Sequence, residues 1–368
     1  MGYSLPLDRQ LPLVGRLTEV SNALLVPPNV RARPRPCGVF VEGRPVEMSL
    51  CFEGSASEPV SVFPEPRAPV RHLAGTYLYG GILSDHFGHM LCEGTGRLWA
   101  LAGRTDVAGI LFFPQPAHKA PNCAKAFAPL ARLLQLPEVS VLVDPVTVDH
   151  LLVPEQGMGS GELMMGRPEV RAYLRDRLSR APANAPGRRL YLTRTGQPRR
   201  RGMILGEQGL EQLFAAQGYE IIRPERLSLK AQIRLYHEAS HVVGTEGSAF
   251  HLLALAGRSG CRVAMIKRRQ SPLFQLICDQ LETFLGTGVA RVDEVQQTFS
   301  PRKFRDPNFI FLEMSRTAMW HVLQREGFVS GEPWQEMDEA ERLAAVNWLQ
   351  EGINKRLGPA RPQSAAPP

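Results

Sequence analysis

The sequence lacks the patterns of cysteine and of apolar residues that mark several classes of protein. Its 368 residues include six cysteines that lie far apart, with no CxxC pair and no Cys/His spacing typical of a zinc site. No stretch approaches the roughly 20 apolar residues of a membrane-spanning helix. The N-terminal segment MGYSLPLDRQLPLVGRLTEV also lacks the long apolar run of a signal peptide. We therefore expect free thiols and a cytoplasmic protein.

The chain is rich in apolar residues and in positive charge. Hydrophobic residues make up 43% of it, and its length favours two domains, because single cores stop growing near roughly 250–300 residues. The net charge of +7 suits phosphate-bearing ligands, anionic membrane surfaces or nucleic acid. The sequence has no recognition helix or aromatic platform, so we expect no nucleic-acid partner. We do expect peripheral contact of the basic N-terminal segment with the inner membrane.

In the N-terminal half, an irregular segment precedes an alternation of strands and helices. Residues 1–70 are rich in proline and arginine and contain one hairpin-like segment, CGVFVEGRPVEMSLCF. From residue 75 the pattern is βαβαβ, with GTYLYGGIL as a strand and residues 85–102 as a helix. Residues 144–166 are predicted to form a connection that ends in a loop rich in glycine and methionine.

In the C-terminal half, a second alternation of strands and helices follows a linker. Residues 181–187, APANAPG, are small residues and prolines without periodicity. We predict an N-terminal domain over 1–180, a parallel α/β domain over 188–290, helices over 291–360 that pack back on the domains, and a disordered tail over 361–368. The predicted fold class is α/β, with two Rossmann-like parallel-sheet domains facing a cleft. Ligands of such sheets bind beyond the C-terminal ends of the strands.

Two loops in the second domain follow predicted strand ends and carry candidate ligands for a phosphate. Arginines in the first loop offer bidentate hydrogen bonds, and glycine in the second lets a ligand approach the start of a helix. Together the two loops are predicted to bind a nucleotide diphosphate. The candidates are Arg194, Arg199, Arg200, Arg201, Thr245, Glu246, Gly247 and Ser248. The alternative for Arg199–Arg201 is a solvated loop, so Arg194, nearest the strand end, is the stronger candidate.

Two residues of this region have alternative interpretations. A carboxylate beside a diphosphate is repulsive, so Glu246 is expected either to accept hydrogen bonds from sugar hydroxyls or to be neutralised by an arginine. His251 lies in the first turn after the loop, where it either reaches a ligand or satisfies the helix terminus.

The segment GGILSDHFGHMLCEGTGRLWAL carries an unusual number of ionisable residues for an apolar stretch. His89 and Glu93 are four residues apart, so on a helix they touch and form a candidate general base. The alternative is a surface pair that stabilises the helix by a few tenths of a kcal/mol. Asp85 is a further catalytic candidate, although its position also suits an N-cap. His86, His89 and Glu93 have no strong metal-binding spacing, so we predict no metal site.

Several blocks of the sequence, in order and spacing, resemble those of bacterial glycosyltransferase family 61. GGILSDHFGHMLCEGTGRLWAL is similar to its "GG…FGH-x-L-x-E…R-L-W" block, and YLTRTGQPRRR to its "Y-L-[ST]-R…RR" block. Residues 209–250 are similar to the block that contains "P-E-x-L-S-L-x-x-Q-I" and "[IV]-V-G-x-x-G-S-A". The resemblance covers about residues 75–270. One departure is Glu246, where many members carry histidine.

The resemblance implies a GT-B-like fold and an inverting transferase for a surface or capsular polysaccharide. The donor would be a nucleotide sugar on the C-terminal domain, and the acceptor a glycan or lipid-linked saccharide approached from the N-terminal domain. Neither loop has a DxD-like carboxylate pair, so we expect a metal-independent enzyme without a tightly bound cofactor. The departure at Glu246 motivates an alternative, a non-catalytic component of a polysaccharide assembly complex that binds sugar nucleotide or glycan.

Overall fold

The computed structural model describes residues 15–29, 32–54, 58–115, 117–178, 187–301, 310–353 and 357–359. The chain divides into two compact units, Met1–Leu178 and Ser179–Pro368. Residues 181–186 of the predicted linker and the whole predicted tail, 361–368, lie outside the described residues.

The first unit is built around one large sheet with helices. Its described strands are β1 Leu17–Val26, β2 Arg35–Pro36, β3 Gly38–Val41, β4 Arg44–Pro45, β5 Ser61–Val62, β6 Arg71–Ser84, β7 Val107–Gln115, β8 Glu138–Val141 and β9 Val146–Pro154. Its described α-helices are α1 Phe87–Cys92, α2 Ala120–Leu133 and α3 Pro168–Leu178. The predicted hairpin is present, because β3 pairs antiparallel with β4.

The main sheet of this unit is mixed, whereas the sequence predicted a parallel one. The described strands follow the order β4-β3-β1-β9-β6-β7-β8, in which β6, β7, β8 and β9 pair in parallel and β1 runs antiparallel to β9. The prediction was wrong at β9, which it assigned to a connection. In VTVDHLLVP a charged and a titratable side chain, Asp149 and His150, interrupt the apolar run, and a proline ends it.

The predicted helix over 85–102 is shorter in the structure. The helix α1 covers only Phe87–Cys92, and a short 3-10 helix over Leu98–Leu101 follows after a turn. The reason lies at Gly96, whose carbonyl accepts a hydrogen bond from the Gly157 N–H at 2.8 Å. A side chain at this position would collide with the backbone of Met158, so glycine lets two segments touch and the helix ends before it.

The second unit contains the parallel α/β arrangement that the sequence predicted. Its described strands are β10 Arg188–Leu192, β11 Glu220–Ile222, β12 Ala239–Thr245, β13 Arg262–Ile266, β14 Val289–Val292, β15 Val295–Pro301, β16 Phe311–Met314 and β17 Leu357–Pro359. Its described α-helices are α4 Glu207–Ala216, α5 Leu229–Glu238, α6 Ala249–Ala256, α7 Leu273–Leu285, α8 Arg316–Arg325 and α9 Glu339–Ile353. The strands β15, β16 and β17 form a small antiparallel sheet that was not predicted.

The strand order of the second unit locates its ligand-binding edge. The order is β11-β10-β12-β13-β14, and every neighbouring pair is parallel. The chain proceeds from β10 to one side and then returns to the other side of it, so the order reverses between β10 and β12. Ligands of open α/β sheets bind at such a reversal, beyond the C-terminal strand ends. The loops after β10 and β12 are the two that carry the predicted phosphate ligands.

Candidate active site

The structure brings Arg194 and the turn after β12 together. The Nη1 atom of Arg194 lies so near Gly247 that a Cβ atom added there would be 2.5 Å from it. The helix α6 begins immediately after this turn, at Ala249. A guanidinium group and the positive end of a helix dipole therefore lie side by side at the C-terminal edge of the sheet.

The hydrogen-bond donors of the Arg194 side chain have no acceptor among the described residues. Its Nε atom is buried without a partner, and no described residue accepts a hydrogen bond from Nη1 or Nη2. Burial of its guanidinium group lowers the pKa of Arg194. A largely buried guanidinium without an acceptor is costly, and a bound anion would remove that cost.

A buried carboxylate that the sequence analysis missed ties the two loops to each other. Oε1 of Glu207 accepts hydrogen bonds from the Arg194 N–H at 3.0 Å and from the Thr245 hydroxyl at 2.7 Å. Burial raises the pKa of Glu207. The hydroxyl group of Thr245, a predicted ligand, thus donates its hydrogen bond to Glu207. The sequence signal that could have identified Glu207 was its position in the first turn of α4, just after the loop that carries Arg194.

Glu246 is neutralised by an arginine, which is one of its two predicted interpretations, and this arginine was not among the predicted phosphate ligands. Oε1 of Glu246 accepts a hydrogen bond from the side-chain Nε of Arg269 at 2.6 Å, and its Oε2 accepts one from the backbone N–H of Arg268 at 3.3 Å. These two residues follow β13, and the signal for them was the run Lys-Arg-Arg at a strand end. Burial, together with the charges of Arg194 and Arg269, lowers the pKa of Arg268 to about 9.

Three other predicted ligands have contacts elsewhere in the unit. The guanidinium carbon of Arg199 lies 3.8 Å from the ring centroid of Trp348 on α9, and Arg199 also donates to the carbonyl of Trp348. The carbonyl of Arg201 accepts a hydrogen bond from Arg268 Nη1 at 2.6 Å. His251 is buried, with Nδ1 2.6 Å from Oε1 of Gln280 on α7. We therefore assign neither Arg199 nor His251 to the phosphate site. Of Arg200 the structure describes only the backbone.

In the first unit, His89 and Glu93 form the contact that their spacing predicts. Nδ1 of His89 lies 3.0 Å from Oε1 of Glu93, and the side chains are 37% and 8% exposed. The hydrogen bond to Glu93 raises the pKa of His89 against the opposing effect of burial. A carboxylate at Nδ1 places the proton there, which leaves the lone pair of the neutral ring on Nε2.

Asp85 does not take the role that its position suggested. The N-cap of α1 is His86, and Asp85 instead pairs with Lys119 at 3.0 Å. Because its carboxylate is turned to a lysine that precedes α2, we assign Asp85 no part in the reaction.

A small hollow lies beside Glu93. It is lined by Glu93, Glu53, Gln115, Gln156 and Arg97 among others. The second oxygen of Glu93, Oε2, is buried and has no hydrogen-bond partner among the described residues. Arg97 is 1% exposed and donates to the carbonyls of Met48 and Leu50 at 2.9 and 2.6 Å, so it fixes this region from within.

Glu53 joins the His89–Glu93 pair from a segment that sequence reasoning did not link to it. Ligand-type atoms of the three residues lie within 4.8 Å of one another, a spacing that would also suit a metal ion. The charge around them opposes a cation, because Glu53 already accepts hydrogen bonds from Arg35 at 3.0 Å and Arg33 at 3.3 Å. Although burial acts in the opposite direction, Arg35 and its neighbours hold the pKa of Glu53 below its usual value.

The family model for glycosyltransferase 61 matches residues 87–263. Over these residues the chain belongs to glycosyltransferase family 61. The match begins at α1, ends in β13 and includes His89, Glu93, Arg194 and Glu246. No curated protein matches the chain.

Membership gives this glycosyltransferase its general activity, which is the transfer of a sugar from a nucleotide-sugar donor to a glycan acceptor. Arg268 and Arg269 lie just beyond the matched range, and Glu53 lies before it. None of the described helices is both long and apolar enough to cross a membrane.

Proposed function

We propose that this glycosyltransferase inverts the anomeric carbon of its donor and acts on a surface or capsular polysaccharide of a bacterium, in the cytoplasm. The acceptor would be a hydroxyl of a glycan or lipid-linked saccharide. The observation that carries the donor half of the proposal is Arg194, a largely buried guanidinium without an acceptor beside the start of α6. A diphosphate supplies the acceptors that Arg194 lacks.

On the donor side, charge stabilisation does the chemical work. When the bond between the anomeric carbon and the diphosphate breaks, negative charge grows on the departing phosphate oxygen. Arg194 and the N–H groups at the start of α6 would stabilise this charge, with Gly247 allowing close approach of the phosphate. Positive side chains thereby replace a metal ion, which makes the enzyme metal-independent.

On the acceptor side, His89 is better placed than Glu93 to remove a proton. Nδ1 of His89 is occupied by Glu93, and no described residue contacts Nε2 through a hydrogen bond. Its side chain is 37% exposed, whereas that of Glu93 is 8% exposed. Nε2 would take the hydroxyl proton as the acceptor oxygen bonds to the anomeric carbon and the bond from that carbon to the diphosphate breaks. A single displacement of this kind inverts the anomeric centre.

The alternative of a non-catalytic binding component was motivated by Glu246. That motive is weak, because the charge of Glu246 is matched by Arg269 within the protein, and its other oxygen accepts a hydrogen bond from the backbone N–H of Arg268. The presence of a His–Glu pair with a free ring nitrogen supports catalysis instead. The alternative predicts nucleotide binding without transfer to any acceptor.

The donor half is tested by titrating a panel of nucleotide sugars and nucleoside diphosphates into the wild-type protein and into Arg194→Ala. We expect the variant to bind about 10- to 100-fold more weakly, since hydrogen bonds from a charged donor are lost. Arg234→Ala is the matched control, because this exposed arginine pairs with Glu238 on α5. Unchanged binding by Arg194→Ala would remove the proposed phosphate site.

The catalytic half is tested by release of nucleoside diphosphate in the presence of glycan acceptors. We expect release with at least one pair of donor and acceptor, and loss of release in His89→Ala with donor binding intact. Tight donor binding without release across the panel would favour the non-catalytic alternative.

A further inference from the structure

Two arginines directly after β13 have contacts that the donor site described above does not use. Arg268 and Arg269 lie beyond the range that the family model matches and were not among the predicted ligands. β13 is the parallel neighbour of β12, and the Glu246 N–H donates to the Ile266 carbonyl at 2.9 Å. Both arginines therefore stand at the same edge of the sheet as the turn at Gly247.

Arg269 is held through one nitrogen of its guanidinium group, and the other two nitrogens are available to a ligand. Its Nε donates to Oε1 of Glu246 at 2.6 Å. Within the described part of the chain nothing accepts a hydrogen bond from its Nη1 or Nη2, and its side chain is 18% exposed. A guanidinium fixed through Nε presents its terminal N–H groups as a planar fork, which matches two oxygens of a phosphate.

Glu246 is turned toward the protein and holds both arginines. It is 0% exposed, with one oxygen bound to Arg269 and the other to the Arg268 N–H. Its backbone carbonyl also accepts a hydrogen bond from Arg268 Nε at 2.9 Å. The carboxylate therefore orients the guanidinium group of Arg269, the backbone carbonyl orients that of Arg268, and the buried carboxylate does not itself meet the ligand.

Among the described residues at this edge, Arg194, Arg268 and Arg269 contribute positive charge, and the carboxylates that act on them are Glu246 and Glu207. Burial raises the pKa of Glu207. Burial also lowers the pKa of Arg268, and the neighbouring charges of Arg194 and Arg269 act in the same direction. An added polyanion would offset the repulsion among these positive charges.

We propose that Arg269 binds the diphosphate of the donor through Nη1 and Nη2, and that Glu246 is the residue that positions it. This inference rests on the proposed function, which places a diphosphate beside Arg194, and it adds a ligand and a positioning residue to that site. The carboxylate that looked repulsive in the sequence is thereby part of the phosphate site.

The experiment is a calorimetric titration with inorganic pyrophosphate and, separately, with uridine and guanosine diphosphates. We expect Arg269→Gln to weaken pyrophosphate binding at least about tenfold, and Arg269→Lys not to restore it, because an ammonium group cannot form the fork. Glu246→Gln is expected to weaken binding as well, since it releases Arg269. Glu220→Gln, which breaks one carboxylate contact of Arg188 at the start of β10, is the matched control and is expected to bind like wild type.

The double variant separates positioning from a merely structural role. If Glu246 acts through Arg269, Glu246→Gln has no further effect on binding once Arg269 is glutamine. Additive effects of the two substitutions, or tighter binding by Glu246→Gln, would overturn the positioning role. Because Arg269 is partly exposed, its variant is expected to fold even where that of the buried Glu246 does not, and melting temperatures identify such a case.

The outcomes also separate this inference from the proposed function. Loss of binding in Arg194→Ala with unchanged binding in Arg269→Gln would overturn the inference and leave the donor site in place. Absence of pyrophosphate and nucleoside diphosphate binding in the wild-type protein would overturn both.

Discussion

His89 has both its tautomer and its charge set by Glu93. The contact at 3.0 Å fixes the proton on Nδ1, and the hydrogen bond raises the pKa of the ring. Glu53 acts in the same direction, Arg35 in the opposite one, and the ring of His86 packs edge-on with centroids 5.2 Å apart. A base must be neutral before it accepts a proton, so Glu93 strengthens the base but narrows the pH range in which it works.

Substituting Glu93→Gln is expected to move the acidic limb of the pH profile. If His89 is the base that we propose, the activity of the wild-type enzyme is expected to rise as pH passes upward through the raised pKa of His89. Glutamine removes the negative charge, so the pKa of His89 falls and the limb in kcat/KM moves to lower pH. The plateau rate falls too, by no more than the about 10²–10⁴-fold that a general base contributes. The measurement is the rate of nucleoside diphosphate release against pH.

Glu162→Gln serves as the control for this shift, because Glu162 is exposed in the same unit. Its profile is expected to match that of the wild type. A Glu93→Gln profile with the limb unmoved would mean that Glu93 does not act through His89.

Sequence spacing identified the residues that are neighbours along the chain and missed those that only the fold brings close. The interval of four residues predicted the contact of His89 with Glu93, and the end of β10 predicted the place of Arg194. Glu53 and Arg269 reach their partners through segments distant in sequence, Glu53 to His89 and Arg269 to Glu246. No local periodicity reports such a contact, so these two residues were not found.

At the scale of elements, the turn between β12 and α6 depends on glycine at position 247, which has no side chain. A Cβ at Gly247 would lie 2.5 Å from Arg194 Nη1, and that atom is the mobile end of a long side chain. Gly247→Ala is therefore expected to keep the fold and to displace the guanidinium. We expect donor diphosphate to bind about tenfold more weakly, as when a charged hydrogen bond is lost, with little change in melting temperature.

Gly288→Ala is the matched control, because an added Cβ there meets no atom within 4 Å. Calorimetry with the same nucleoside diphosphate should find it equal to the wild type. Equal affinities of the two alanine variants would show that Arg194 does not depend on the opening at Gly247.

The elements that the sequence predicted best are those with one clear signal each. In the second unit, apolar strands alternate with helices, and at the start of α5 Ser228 accepts the hydrogen bond from the Ala231 N–H that capping requires. In the first unit, α1 ends early because Gly96 meets the 155–160 segment, a tertiary contact that overrides the helical pattern. The strand β9 was missed because its polar residues broke the apolar run.

At the scale of the whole molecule, the proposed function has arginines supply the positive charge that a metal ion would otherwise provide. The chain carries a net charge of +7, and part of it is concentrated where β10, β12 and β13 end. The negative charge on the departing diphosphate must be stabilised by nearby positive charge, which either a metal ion or side chains can supply. Arg194 and Arg269 lie close enough to Arg268 for their charges to add to the effect of burial in lowering its pKa, so the three can supply that charge.

Removal of divalent metal is therefore expected to leave the enzyme active. After dialysis against EDTA, the affinity for nucleoside diphosphate and the rate of its release from the donor should equal those of a sample dialysed without chelator. Both should instead weaken as salt is raised, because ions screen partly exposed guanidinium groups such as Arg269. Arg194→Ala should not be rescued by added Mn²⁺. Activity that is lost in EDTA and restored by Mn²⁺ would contradict an arginine-based site. The two treatments can be distinguished, because salt screens the guanidinium groups whether or not a metal ion is present.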